Sequence, residues 1–175
     1  MALITAPSLS IPDIDYEFHT ITVDSVGQDS ANTFTVYLNT PLRNIVQARL
    51  LGAHIHTTDA TEHCHVSIAE LDSIFTDRAS KDPPQSVSSQ PGLSVLRNSF
   101  ASIISKSNVH SGTNDLIVFR DNYPIVTQYI DPINTIDRLT VTIRDQNGDT
   151  IEDGATGDNF LIIRFVCRKP NMRSF

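Results

Sequence analysis

The sequence contains no tryptophan and only two cysteines among its 175 residues, and aromatic residues make up 7% of it. Cys64 and Cys167 are too few for the disulfide framework of a small secreted domain, and both fall at inward positions of predicted strands, so we predict buried free thiols. No apolar run approaches the roughly 18 residues of a membrane-spanning helix. The first residues lack the basic segment of a signal peptide, so none is expected.

Positive charge is also scarce, with 13 lysines and arginines against 20 acidic residues and a net charge of −7. The cations form no run along the chain, which argues against specific nucleic-acid binding. There is no Gly-x-Ser-x-Gly motif, no phosphate-cradling glycine loop and no pair of catalytic carboxylates. We therefore predict that the protein is not an enzyme and has no catalytic residue, no cofactor and no metal site.

Period-two alternation is the dominant positive signal. Residues 139–143 read Leu-Thr-Val-Thr-Ile, which predicts a strand with one buried face. Asn147 and Gly148 follow and predict a type I′ hairpin turn, since both residues tolerate positive φ. Residues 161–167 form a nearly continuous apolar run, which is typical of a strand covered on both faces.

The rest of the chain supplies further strand patterns separated by turn signals, without a convincing amphipathic helix. The other predicted strands are residues 16–24, 33–38, 44–56, 63–71, 100–105, and 116–119 with 125–130 as a separate or continuing strand. About eight short strands separated by turns predict an all-β fold, a single eight-stranded jelly-roll β-sandwich.

The distribution of proline and of polar residues divides the chain into three parts. Residues 1–15, with Pro7 and Pro12, are predicted to be an extended N-terminal arm. Residues 16–169 form the jelly-roll domain, in which residues 72–98 make a long loop rich in serine, glutamine and proline. Residues 170–175 form a C-terminal tail.

Four histidines follow a closely spaced pattern in the predicted strands 44–56 and 63–71. If these strands form a hairpin with His56 opposite His63 and His54 opposite His65, every facing pair on the other side is apolar, which a slip of one residue would destroy. The imidazoles then share one face, where they could bind a metal, mediate a subunit or pH-sensitive contact, or form a plain polar surface. The spacing matches no standard zinc motif, so we predict no tight metal site.

Two other groups of side chains allow a binding role. Aspartates near the last turns could hold calcium, but the ligand order of an EF-hand is missing and solvated turn positions are favoured: Asp145, Asp149, Asp153 and Asp158. The tyrosines could form the surface of a carbohydrate-binding β-sandwich module, which is the alternative from a different functional class: Tyr16, Tyr37, Tyr123 and Tyr129.

Three blocks, residues 33–51, 136–149 and 159–165, resemble single jelly-roll capsid proteins of large DNA viruses and virophages. In that family the proteins are mostly vertex (penton) or minor capsid proteins, in viruses whose major capsid protein is a double jelly roll. The resemblance implies a structural subunit that forms homopentamers at icosahedral five-fold vertices. It implies contacts with the major capsid protein and other minor capsid proteins, and a location in the virion after assembly in the host cell. A minor capsid (cement) role is the alternative within this class.

Overall fold

The computed structural model of the chain describes residues 16–57, 61, 63–72, 99–104, 115–151 and 157–169. The predicted arm 1–15, residues 73–98 of the long loop and the tail 170–175 lie outside the described residues. Every regular element within the described ranges is a β-strand and all pairings are antiparallel, which confirms the predicted all-β fold. No helix in these ranges is long and apolar enough to cross a membrane.

Six continuous strands account for the described sheet, where the sequence suggested eight separate ones. They are β1 (Tyr16–Asp24), β2 (Thr33–Thr57), β3 (His63–Ile68), β4 (Ala101–Ile104), β5 (Asp115–Arg144) and β6 (Phe160–Arg168). The predicted first strand has the observed bounds. The predicted strands 33–38 and 44–56 are joined in β2, and β5 joins three predicted segments in the same way.

β2 and β5 change neighbours along their length and thereby divide the curled sheet into two halves. Residues 45–57 of β2 pair with residues 115–133 of β5 and, on the other side, with β6, which in turn pairs with β1. This first half-sheet has the order β1–β6–β2–β5. Residues 33–37 of β2 pair with residues 138–142 of β5, beyond which lie β3 and β4, and this second half-sheet has the order β2–β5–β3–β4. The two orders are those of a jelly roll.

Irregularities let the long strands pass from one half-sheet to the other. The register of β2 against β5 shifts between Tyr37 and Leu42 and again beyond Ile45, and Asn44 between them has a φ of 52°. An asparagine tolerates this left-handed conformation better than most residues, and an inserted residue bends a strand. The chain therefore turns the corner without losing its extended character.

Inward side chains of both half-sheets form one hydrophobic core. Leu50, Phe165 and Leu139 are among the fully buried members, and they come from β2, β6 and β5. Cys64 and Cys167 are free thiols buried in the same core, as predicted. Burial raises the pKa of the Cys64 thiol to about 12, so this group stays protonated at neutral pH.

Two local predictions need correction. Only Gly148 of the Asn147–Gly148 pair has a positive φ, 92°, so the turn is not type I′. The amide of Gly148 donates to the carbonyl of Asp145 (3.2 Å), and the Asp145 carboxylate accepts from the amides of Asn147 (2.8 Å) and Asp149 (2.9 Å). These bonds make a type I turn followed by a glycine bulge, because the aspartate stabilises the right-handed form at Asn147.

The second correction concerns β6, which was expected to be covered on both faces. Its inward residues, such as Ile163 and Phe165, are fully buried, but Ile162 and Val166 on the outward face are only half-buried and Arg164 is exposed. In the described part of the chain, therefore, one face of β6 is covered and apolar side chains on the other are partly accessible.

Candidate functional site

The predicted histidine hairpin is wrong, because β2 and β3 do not pair. His54 lies between Phe160 of β6 and Val118 of β5, in the first half-sheet. His65 lies between Ser102 of β4 and Arg144 of β5, in the second. Most of the apolar residues that suggested the hairpin face the same core, but from opposite half-sheets: Ala53, Ile55, Cys64, Val66 and Ile68. Leu51 is half-buried at a register shift of β2. Alternation cannot distinguish pairing within a sheet from packing across a core.

The histidines consequently form two separate pairs. His54 and His56 are in edge-to-face contact with ring centroids 5.5 Å apart, and His63 and His65 have the same separation. His65 is buried, and its Nδ1 lies 2.9 Å from the Ser102 hydroxyl. Across the described ranges, no group of three or more His, Cys, Asp and Glu side chains is placed to hold a metal ion.

His56 is the histidine whose surroundings most affect its chemistry. Burial and the neighbouring His54 lower its pKa, and Asp158 opposes them only in part. The segment that leads into β6 packs directly against the His56 ring, since a Cβ at Gly157 would lie 2.6 Å from the Nε2 atom of that ring. The folded protein therefore favours the neutral imidazole.

We expect stability to fall in mild acid because of His56. Its pKa is lower when folded than when unfolded, so the unfolded state takes up the proton first and stability is lost as pH falls below about 6.5. The melting temperatures of the wild type and of His56→Gln are compared from about pH 7.5 to 5.5. The difference between them should be largest at the neutral end and should shrink as the pH falls. His19→Gln should keep the acid sensitivity of the wild type, and an equal loss of sensitivity in both variants would contradict the assignment.

A buried polar network ties together the turns at one end of the sandwich, and Asn159 is its centre. The Nδ2 of Asn159 donates to the carbonyl of Ala31 (2.8 Å) and to Oδ1 of Asn32 (2.8 Å). Its Oδ1 accepts from the amide of His56 (2.8 Å) at the end of β2. Asn159 and Asn32 are both buried, so one side chain links the turn before β2, the end of β2 and the start of β6.

Ser25 completes this network. We define the loop-end network as Ser25, Asn32 and Asn159. The Asn159 amide donates to Oγ of Ser25 (2.9 Å), and the Ser25 hydroxyl donates to Asp158 (3.1 Å). Asn32 donates from Nδ2 to the carbonyl of Ile151 (2.9 Å). Sequence reasoning missed the network, since an asparagine before a strand ordinarily indicates an exposed turn.

A second set of contacts fastens the chain where the predicted long loop begins. The carboxylate of Glu70 accepts from the amide (2.7 Å) and hydroxyl (2.9 Å) of Thr140 on β5. Asp72 accepts from the amide of Ile68 (2.9 Å) and from the hydroxyl of Ser67, and burial raises the pKa of its carboxyl. The hydroxyl of Tyr129 donates to the carbonyl of Leu71 (2.8 Å). Both acidic side chains thus act as structural acceptors.

The remaining predicted groups are dispersed. Asp145 is engaged within its own turn, Asp158 accepts a hydrogen bond from Ser25 of the loop-end network, and Asp153 lies outside the described residues. The hydroxyls of Tyr123 and Tyr129 bond to backbone carbonyls of the same chain (3.1 and 2.8 Å). Tyr16 and Tyr129 line one shallow groove, but Tyr37 and Tyr123 lie outside it, so the four tyrosines share no single surface.

A groove of about 760 Å³ lies between β1 and residues 36–44 of β2. In the described part of the chain, β1 pairs only with β6, and residues 33–37 of β2 pair only with β5, so both strands present an open edge here. Ile21 and Leu38 contribute apolar surface, and threonines and a few charged side chains line the rest. The lining offers edge backbone groups and apolar contact rather than a constellation for catalysis.

The outward surface of the first half-sheet brings together arginines that are far apart in the sequence. We call it the arginine face, defined by Phe18, Arg49, Arg120, Ile130, Arg164 and Arg168. Arg49 and Arg164 lie directly opposite each other on β2 and β6. The sequence showed no such cluster because the four arginines come from three strands, β2, β5 and β6, that are distant along the chain.

Comparison with known proteins gives no family model and no curated protein that matches the chain. Among solved structures, one titled as the infectious bursal disease virus Gx strain is 14% identical over 90% of this chain, with a TM-score of 0.33. The VP2 subviral particle of infectious bursal disease virus is 11% identical over 91% of this chain, with a TM-score of 0.32. This chain spans about one third of each of those chains, 33% and 35%.

Proposed function

We propose that this chain is a structural subunit of a virus capsid, and specifically a penton protein that forms homopentamers at five-fold vertices. The observation that carries the proposal is where the three resembling blocks fall in the fold. Residues 33–51, 136–149 and 159–165 belong to β2, β5 and β6, which are consecutive in the sheet order β6–β2–β5. The resemblance to single jelly-roll capsid proteins therefore covers the centre of the fold as one unit.

The physical logic of such a protein is assembly. A jelly-roll sandwich presents its sides to identical neighbours, and a head-to-tail contact that closes on itself makes a ring. Two large apolar side chains, Ile130 (86%) and Phe18 (63%), are exposed on the outward surface of the first half-sheet. Exposed groups of this size are typical of surfaces that another protein covers. In the capsid the further partners are the major capsid protein and other minor capsid proteins.

Purified full-length protein is expected to form five-membered rings. Negative-stain microscopy should show the rings, and sedimentation velocity should give a species of five times the chain mass. A monomer that binds only to preformed capsomers would instead indicate the minor capsid (cement) role. Specific glycan binding by an isolated monomer that never assembles would contradict the capsid proposal.

A further inference from the structure

The arginine face contains a charge arrangement that is unfavourable for a free surface. Arg49 and Arg164 are directly opposed cross-strand partners. Side chains in such positions have Cβ atoms about 4.5–5.5 Å apart, and like charges there destabilise a sheet. Nη2 of Arg49 donates to both carboxylate oxygens of Asp121, each at 2.8 Å. That single carboxylate offsets one of the two opposed charges.

The same face carries apolar surface between its charges. Phe18 is 63% exposed and Ile130 86% exposed, and both point outward beside the half-buried Val166 of β6. The sequence of β6 is that of a strand covered on both faces, whereas the residues that the structure describes cover only one. Arginine and aromatic side chains surrounded by partly buried aliphatic residues are the composition enriched in protein interfaces.

We propose that the arginine face is the surface by which one copy of this chain binds the next in the ring; this inference rests on the proposed function. The charged side chains turned outward on this half-sheet are four arginines with Asp24 and Asp121, a net charge of +2 within the described residues. The whole chain carries −7. The surface outside the face is therefore acidic, and a second copy supplies the complementary charge. A head-to-tail contact joins two such different surfaces.

The test compares two substitutions on the arginine face with matched substitutions on the outward side of the second half-sheet. Arg164→Gln and Phe18→Ser are paired with Arg138→Gln and Tyr37→Ser, since Tyr37 is as exposed as Phe18 and Arg138 is also exposed. Association is measured by sedimentation velocity over a concentration series of the full chain. Each arginine-face variant should associate at least about tenfold more weakly than the wild type, which corresponds to about 1.4 kcal/mol. The two control variants should associate as the wild type does.

Monomer stability provides a second readout. Arg164→Gln should leave the melting temperature of the dilute monomer unchanged or raise it, because the substitution relieves the repulsion from Arg49. A clear fall in melting temperature would mean that Arg164 stabilises the fold and would overturn the inference.

Three other results would also overturn it, and the first of them leaves the proposed function intact. If the wild type forms rings and the arginine-face variants do so equally well, the interface lies elsewhere and the capsid proposal stands. A wild type that stays monomeric at every concentration contradicts both. If the variants lose binding to a single-stranded DNA oligonucleotide while association is unchanged, the face binds nucleic acid instead.

Discussion

Replacing Asn159 with alanine is expected to lower the free energy of unfolding by about 3–5 kcal/mol. The substitution leaves three groups of the loop-end network without their partner: the carbonyl of Ala31, Oδ1 of Asn32 and the amide of His56. Asn159 is 1% exposed, so water cannot easily replace the lost bonds. Each unsatisfied buried group costs about 1–3 kcal/mol. Urea denaturation of the dilute protein measures the change.

Two further variants make this prediction specific. Asn159→Asp keeps the shape and the acceptor for the His56 amide but replaces the donating Nδ2, so it should destabilise the protein about as much as alanine does. Asn147→Ala removes an exposed asparagine that also bonds within a turn, and it should cost less than about 1 kcal/mol. A stable Asn159→Asp protein would mean that the two donated bonds do not support the fold.

Phe165→Ala is expected to cost about 3–5 kcal/mol, because it opens a cavity where the first half-sheet meets the core. Phe165 is fully buried on the inward face of β6, with His19 of β1 and Ala48 of β2 as its cross-strand neighbours. The small Ala48 beside it cannot fill the space, so little relaxation is expected. Thermal or urea unfolding at low concentration measures the loss.

Phe160 provides the matched control on the same strand. It faces outward and is 37% exposed, so Phe160→Ala should cost less than about 1.5 kcal/mol. Equal losses at Phe160 and Phe165 would mean that the two faces of β6 are equally covered in the monomer. That result would also weaken the case for an interface on the outward face.

Hydrogen-bonded loop ends and a partly accessible sheet face would suit the proposed role in assembly. The loop-end network ties three separate turns through Asn159, while the arginine face presents charge and apolar surface on the side of the sandwich. A lateral contact between copies needs such a side surface at a constant angle. Asn159→Ala is expected to lower stability strongly, and Arg164→Gln is expected to weaken association alone. The two substitutions therefore test separate parts of the proposed assembly role.

Sequence reasoning recovered the strand class and the inward positions in much of the chain. Leu139, Val141 and Ile143 are fully buried as their alternation predicts, and β1 has the predicted bounds. Sequence reasoning failed where a prediction depended on which strand pairs with which. The hairpin of β2 with β3 was inferred from apolar matching, and that matching is satisfied equally well by two strands that face each other across the core.

An all-β protein with one inward and one outward set of side chains could be predicted from the sequence, because alternation is a local property of each strand. Three features depend instead on the tertiary fold: β2 and β5 turn from one half-sheet into the other, Asn32 and Asn159 meet in a buried network, and Arg49 opposes Arg164. Those pairs are more than 100 residues apart. Their proximity depends on which edges pair, and pairing follows from burying one shared core rather than from any local pattern.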